Sequence, residues 1–243
     1  MPRFFIDANA VRGDKAYISG DDAAHISKSL RMRKGEKLIL CDGCGTDFDC
    51  TIENISDGLL SLSVDGRTET VSEPKCKVTL FQGMPKSDKL EFIVEKAVEI
   101  GAVSIVPVLT SRCVARPDEK SAARKAERLS RHALEAAKQC GRGIIPKVGQ
   151  MIDFAALTAQ IKDFDRAIVF YEGGGEPIKS LVDENTKSVA VIIGPEGGLA
   201  QEEVDKLCVA GATAGTLGKR ILRTETAAVV AVTTVLTYTG DME

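Results

Sequence analysis

Val189-Ala-Val-Ile-Ile-Gly-Pro-Glu-Gly-Gly198, followed about twenty residues later by Leu217-Gly-Lys-Arg-Ile-Leu-Arg-Thr-Glu-Thr-Ala-Ala228, decides the fold. In each stretch a short buried strand runs straight into glycine, where bare backbone amides approach a ligand that a Cβ would hold away. The second loop opens a helix expected from Thr224 to about Thr237, with Thr224 as its N-cap. The free N–H groups of that first turn would face the Gly194 loop. Tyr171-Glu-Gly-Gly-Gly175 supplies a third strand exit. Glycine loops at the carboxyl ends of neighbouring parallel strands mark the edge where α/β proteins bind ligands.

Working outward, the region after Lys75 alternates strands with helices. Val78–Gln82 predicts a strand, and a helix from Asp88 carries Leu90, Ile93, Val94, Ala97 and Val98 on one stripe before Gly101 ends it. Asp88 with Glu91 fits a capping box. Strand Ser104–Leu109, a cationic helix over Lys120–Gln139, strand Ala167–Tyr171, helix Gln201–Val209 and strand Ala212–Leu217 complete the series. Such alternation predicts a parallel sheet with helices on both faces, over 75–243. Residues 1–70 differ: short alternating runs at 37–41, 48–52 and 59–64, with turns at Asp42-Gly43 and Asn54–Gly58, predict a small β domain. Thr70-Val-Ser-Glu-Pro-Lys75, polar and proline-bearing, is the expected linker.

Bulk composition excludes several classes. At 243 residues and 44% apolar content there is ample core for two domains. No apolar run is long enough for a membrane span and the start is charged too soon for a secretory signal, so a soluble cytoplasmic protein is expected. Seven scattered cysteines fit reduced thiols rather than a disulfide framework. Cys41-Asp-Gly-Cys44 has metal spacing, but no second pair supplies the remaining ligands, and only His25 and His132 could add imidazole; no metal is expected. The net charge of −3 hides two basic segments: five cations against Glu36 between His25 and Lys37, and ten against four acids between Arg112 and Lys147.

Leu38-Ile-Leu-Cys-Asp-Gly-Cys-Gly-Thr-Asp47 imitates the first cofactor motif of Rossmann-type methyltransferases. That motif needs a helix starting at the turn. Here Phe48-Asp-Cys-Thr-Ile52 continues with period two, so a hairpin turn at Asp42-Gly43 is expected instead.

The C-terminal motifs, together with Pro2-Arg-Phe-Phe5, His25 with Leu30-Arg31, Lys86 to Lys89 with Glu91 and Lys96-Ala-Val-Glu-Ile-Gly101, and Glu135-Ala-Ala-Lys-Gln-Cys-Gly-Arg142 with Pro146, are similar to the RsmE-type 16S ribosomal RNA uracil-N3 methyltransferases of the SPOUT class. The resemblance spans essentially the whole chain; only 150–165 carries no marker. It implies an N-terminal PUA-like β-barrel that binds RNA, and a C-terminal α/β domain tied in a trefoil knot, a topology pattern reasoning alone would predict against. It further implies S-adenosyl-L-methionine as cofactor, 16S rRNA within the small ribosomal subunit as partner, and a homodimer. Cofactor contacts fall to Tyr171, Glu172, Ile193, Gly194, Gly197, Gly198, Leu217, Gly218, Ile221, Leu222 and Ala227.

Methylation at uracil N3 requires positioning and the handling of negative charge as the proton leaves. Arg223, just before a helix N-terminus, is the expected stabiliser of that charge, and Glu196 and Glu225 are candidate proton acceptors. Arg3, Lys28, Arg31, Arg33, Lys34, Arg112, Arg116, Arg131, Arg142 and Arg220 are the expected RNA contacts. Competing readings are a SPOUT enzyme acting at another ribosomal or transfer RNA site and a non-catalytic RNA-binding assembly factor. A nicotinamide-dependent oxidoreductase lacks its dinucleotide fingerprint.

Overall fold

A computed structural model of the chain describes residues 1–56, 58–114 and 116–242. The chain divides into two compact units, one formed by Met1–Glu73 with Ala137–Ile145 and the other by Pro74–Ala136 with Pro146–Glu243.

The first unit contains β1 (Arg3–Phe5), β2 (Val11–Arg12), β3 (Lys15–Ser19), the short helix α1 (Gly20–Ala24), β4 (Lys37–Cys41), β5 (Thr46–Ser56) and β6 (Leu59–Glu69). They form one sheet in the order β1-β4-β5-β6-β3-β2, antiparallel except for β1 beside β4. Period-two alternation turns Leu38, Leu40, Phe48, Cys50, Ile52, Leu60 and Leu62 to one side, where they join Phe4, Ala16, Ile18 and Ile26 in a core. The glycine-rich decoy is a hairpin, as expected. β4 pairs β5 antiparallel, and the Asp42 carboxylate accepts from the N–H groups of Cys44 and Thr46 to close the turn. The turn expected at Asn54–Gly58 is tighter, since β5 runs on to Ser56; Asp57 lies outside the described residues.

Thr70–Lys75 is not a free polar tether. Thr70 is buried, donating its N–H to the Gly45 carbonyl and its hydroxyl to Asp47 Oδ1. The Glu73 carboxylate accepts from the Arg142 guanidinium at 2.6 and 3.2 Å and from the N–H groups of Gly143 and Ile144. A segment more than sixty residues downstream is thereby bound into the first unit.

The second unit adds β7 (Lys77–Gly83), α2 (Lys89–Ile100), β8 (Ser104–Leu109), α3 (Glu119–Cys140, whose last turn belongs to the first unit), β9 (Lys147–Val148), β10 (Ile152–Asp153), α4 (Phe154–Gln160), β11 (Arg166–Phe170), β12 (Glu176–Pro177), β13 (Ser188–Ile193), α5 (Gln201–Val209), β14 (Thr213–Thr216) and α6 (Thr224–Tyr238). The strands are all parallel, ordered β10-β8-β7-β13-β11-β14-β12 with β9 beside β8. Phe81, Val169, Ala190 and Ile192 pack on one face with Leu157 of α4 and Val204 and Leu207 of α5. The alternate residues point to the other face, where α6 packs on β7, β13 and α2. After β14 the chain returns past β11 to reach that position.

The capping box at α2 does not form. Asp88 is the N-cap residue but makes no capping hydrogen bond, and Arg128 of α3 instead lies 3.3 Å from Asp88 and 3.1 Å from the buried Glu91.

Asp47 and Glu73 are two partly buried carboxylates that tie acid sensitivity to the first unit. Burial alone would raise both carboxyls, but Arg3 and Thr70 outweigh it at Asp47, and Arg142 with two backbone N–H groups outweighs it at Glu73; both end below their ordinary values. A lowered carboxyl stabilises fully above its unfolded pKa, and that contribution is lost as pH falls through the folded one. Urea melts should therefore show this unit weakening below about pH 4. Glu73→Gln should flatten that dependence and cost about 3–5 kcal/mol at neutral pH, because it breaks the ion pair with the buried Arg142; an unchanged melt would show that the pair is not structural.

Candidate active site

β11, β13 and β14 lie side by side and end level with one another, Phe170 standing opposite both Ile193 and Gly215. The loops that leave them, 171–175, 194–200 and 217–223, consequently rise together at the carboxyl edge of the sheet. They enclose a cavity of about 580 Å³, in the range of small-molecule sites. All eleven residues expected to contact a cofactor, from Tyr171 to Ala227, line it. Phe170, Ile193, Leu217 and Leu222 give it apolar walls, while the glycines expose backbone. Gly198 is favoured by its φ of +67°, a conformation that side-chain-bearing residues rarely adopt. Ile221 lines the cavity but is 87% exposed, so its side chain points largely to solvent.

Thr224 is not the N-cap. Arg223, in extended conformation, holds that position without a side-chain cap, and Thr224 is the first helical residue. Its buried hydroxyl turns inward and donates to the Gly194 carbonyl at 2.7 Å. Local propensity favoured the cap; a tertiary acceptor took the hydroxyl.

The charged groups divide into bound and free. Lys89, at the start of α2, also lines the cavity, with its ammonium 3.1 Å from Glu225 Oε2 and 3.4 Å from Glu196 Oε1. The Lys86 N–H donates to both Glu196 oxygens. Burial alone would raise the Glu225 carboxyl, but its own N–H, the Lys89 ammonium and the Arg223 charge outweigh it and hold it below the usual carboxylate range. The same pairing, Glu225 foremost and Glu196 after it, holds Lys89 above its ordinary value. Both candidate proton acceptors are thus engaged by one lysine. Arg220 and Arg223 are exposed at the rim.

The other expected RNA contacts separate in the same way. Lys28, Arg31, Arg33 and Lys34 are exposed on the first unit, Arg31 in a left-handed conformation with φ 55°. Arg131 is exposed on α3. Arg142 is not available to RNA: it is 2% exposed and committed to Glu73. Nor is Arg3, which holds Asp47 through two bonds of 2.6 Å. Arg112 braces the site, donating to the Gly197 carbonyl at 2.9 Å and standing 3.8 Å from Glu172, and Arg116 donates to the Thr110 carbonyl.

Lys89, Lys219 and Thr216 line the cavity without having been singled out from sequence. For Lys89 the signal was present, since it lies in the Lys86–Lys89 run, but nothing local tells a surface lysine from one facing two distant glutamates. Among the described residues no cluster of His, Cys, Asp and Glu is placed to hold a metal, and no helix is long and apolar enough to cross a membrane. The thiols of Cys50 and Cys76 are pushed up by burial to about 12 and about 11, as for small hydrophobes.

Comparison with known proteins converges on this geometry. Residues 72–236 match the family model of the RNA methyltransferase domain, and 18–65 that of the RNA methyltransferase PUA domain. A Bacillus subtilis protein named ribosomal RNA small subunit methyltransferase E is 35% identical over 97% of this chain and 96% of its own. A Mycobacterium tuberculosis protein of the same name is 33% identical over 94% and 88%. The crystal structure of a Neisseria gonorrhoeae ribosomal RNA small subunit methyltransferase E, bound to S-adenosyl methionine, superposes with a TM-score of 0.85 at 28% identity, covering 98% of this chain and 97% of that one. With three backbone loops converging on one cavity and both matched regions in this order, the chain belongs to the ribosomal RNA small subunit methyltransferase E family of RNA methyltransferases.

Proposed function

We propose that this protein methylates N3 of a uridine in small-subunit ribosomal RNA, using S-adenosyl-L-methionine. The observation that carries the reading is the cavity walled by the backbone of three strand-exit loops in a chain of this family. Its residues fit the cofactor: Phe170, Ile193, Leu217 and Leu222 suit an adenine, and Gly194, Gly197, Gly198 and Gly218 present bare backbone to the cavity. S-adenosylmethionine, when bound, supplies an electrophilic methyl group.

The protein's own share is positioning and charge. Arg223 is free at the rim and stabilises the anion that develops on the uracil as N3 loses its proton. Glu225, held low and paired with Lys89, can accept the N3 proton only by giving up that pairing. The exposed cations Lys28, Arg31, Arg33, Lys34, Arg131 and Arg220 neutralise phosphates around a splayed-out nucleotide.

The working form is a homodimer. α6 is apolar almost all round, its only charge being Glu225, and Thr226, Val229, Val230, Thr233 and Thr237 form an uncharged stripe on the side away from the core. A helix of that composition calls for cover on both sides, and a second copy provides it.

Wild-type protein incubated with S-adenosylmethionine and unmethylated small-subunit particles adds one methyl to a single uridine, located by mass spectrometry of nuclease fragments, and the rate falls steeply as salt rises; methylation of transfer RNA, or none, overturns the substrate. In the same assay Arg223→Ala lowers methylation about a hundredfold while cofactor affinity stays near wild type, and joint loss of both removes its charge-stabilising role. Lys89→Met raises the Glu225 carboxyl in a carbon-13 titration, and Val230→Glu converts a dimer to monomer in sedimentation; a wild-type monomer would defeat the dimer reading.

A further inference from the structure

We infer that Gln82 and Thr224 are positioning residues for the cavity, forming a buried amide–hydroxyl clamp that holds the Gly194 loop against the start of α6. The inference rests on the proposal that the cavity takes S-adenosylmethionine.

Gln82 is the last residue but one of β7, in a strand whose neighbours Leu80 and Phe81 are core, and it is itself completely buried. The two hydrogens of its Nε2 serve three acceptors, the Gly83 carbonyl at 2.9 Å, Thr224 Oγ1 at 2.9 Å and, more distantly, the Gly194 carbonyl at 3.3 Å. Thr224 in turn donates to the Gly194 carbonyl. Three oxygens surround one nitrogen, so the amide has only one tolerable orientation; reversed, it would set oxygen against oxygen. Its own oxygen is left buried without a partner. A leucine would avoid that penalty. What glutamine adds is a donor for a carbonyl the sheet no longer serves, because β13 ends at Ile193.

The clamp also lies where the chain has least room to adjust. A Cβ on Gly83 would stand 2.6 Å from both the ring and the nitrogen of Pro195, so the end of β7 and the Gly194 loop are already in direct contact. Neither Gln82 nor its amide lines the cavity, yet each group it binds adjoins a wall: Gly194 begins the 194–198 wall, and Thr224 follows the 217–223 wall. The hydroxyl and the amide therefore set the spacing between the two walls. Gln82 acts through Gly194 and Thr224 and does not itself touch the reacting groups.

The test compares wild type with Thr224→Val, Thr224→Ser and Gln82→Glu in the full-length protein. Amide hydrogen exchange, run without cofactor, reads the clamp, and calorimetric titration with S-adenosylmethionine reads its consequence. Thr224→Val is expected to speed exchange in both 194–200 and the first turn of α6, and to weaken cofactor binding about tenfold, a loss corresponding to one buried hydrogen bond. Thr224→Ser, which keeps the hydroxyl, restores both; Gln82→Glu, which keeps the shape but lacks the N–H, resembles Thr224→Val. Thr224→Val protein that folds and exchanges like wild type in both loops, or that matches wild-type cofactor affinity, overturns the inference, and this holds even if Gln82→Glu fails to fold. If wild type itself ignores the cofactor while Thr224→Val still loosens both loops, the cofactor reading fails and the clamp stands.

Discussion

A backbone carbonyl that leaves a parallel sheet must find a new donor, and the carbonyl of Gly194 finds two side chains, Gln82 from the first strand of the sheet and Thr224 from its last helix. That one acceptor gathers segments separated by more than a hundred residues. Two of the three cavity walls lie next to it: the glycine turn of 194–198 and the 217–223 loop with the first turn of α6. The site is thus fixed by backbone held in place from behind, and most side chains around it are free to be small or absent.

Electrostatics around the cavity follow a related division. Lys89 engages Glu196 and Glu225, Arg112 braces Gly197 and Glu172, and these paired charges hold loops to one another. Arg220 and Arg223 remain exposed at the opening. A cation already neutralised by a carboxylate offers little to an incoming anion, so the residues fit to meet a substrate are those the fold leaves uncommitted. The Glu225 carboxylate belongs to the scaffold on this argument, since taking up a proton would break its pairing with Lys89.

What the sequence made legible were the features with a local cause. Strand exits into glycine located β11, β13 and β14, the stripe from Leu90 to Val98 located α2, and their alternation required the parallel sheet. What it concealed were choices between partners. Thr224 satisfied the local rule for an N-cap and spent its hydroxyl on Gly194; Asp88 satisfied the rule for a capping box and turned to Arg128. Thr70–Lys75 had the composition of a linker, yet Asp47 and Arg142 bind it. Counting cations could not separate Arg3 and Arg142, each paired with a carboxylate, from Lys34 or Arg33, because Asp47 and Glu73 lie 44 and 69 residues from their partners.

The two glycine-bearing turns of this chain show why context outranks motif. Asp42-Gly-Cys-Gly45 and Gly194-Pro-Glu-Gly-Gly198 have similar composition and both follow a buried strand. After the first the chain doubles back as an antiparallel partner, and the Asp42 carboxylate takes up the Cys44 and Thr46 amides. After the second the chain crosses over to a helix, since a parallel strand cannot be reached by a tight turn. That crossover pulls the loop out of the plane of the sheet, strips the Gly194 carbonyl of its ladder partner, and creates together the open space a ligand needs and the orphaned acceptor that Gln82 and Thr224 must fill. The cavity and the clamp behind it are two results of a single topological requirement.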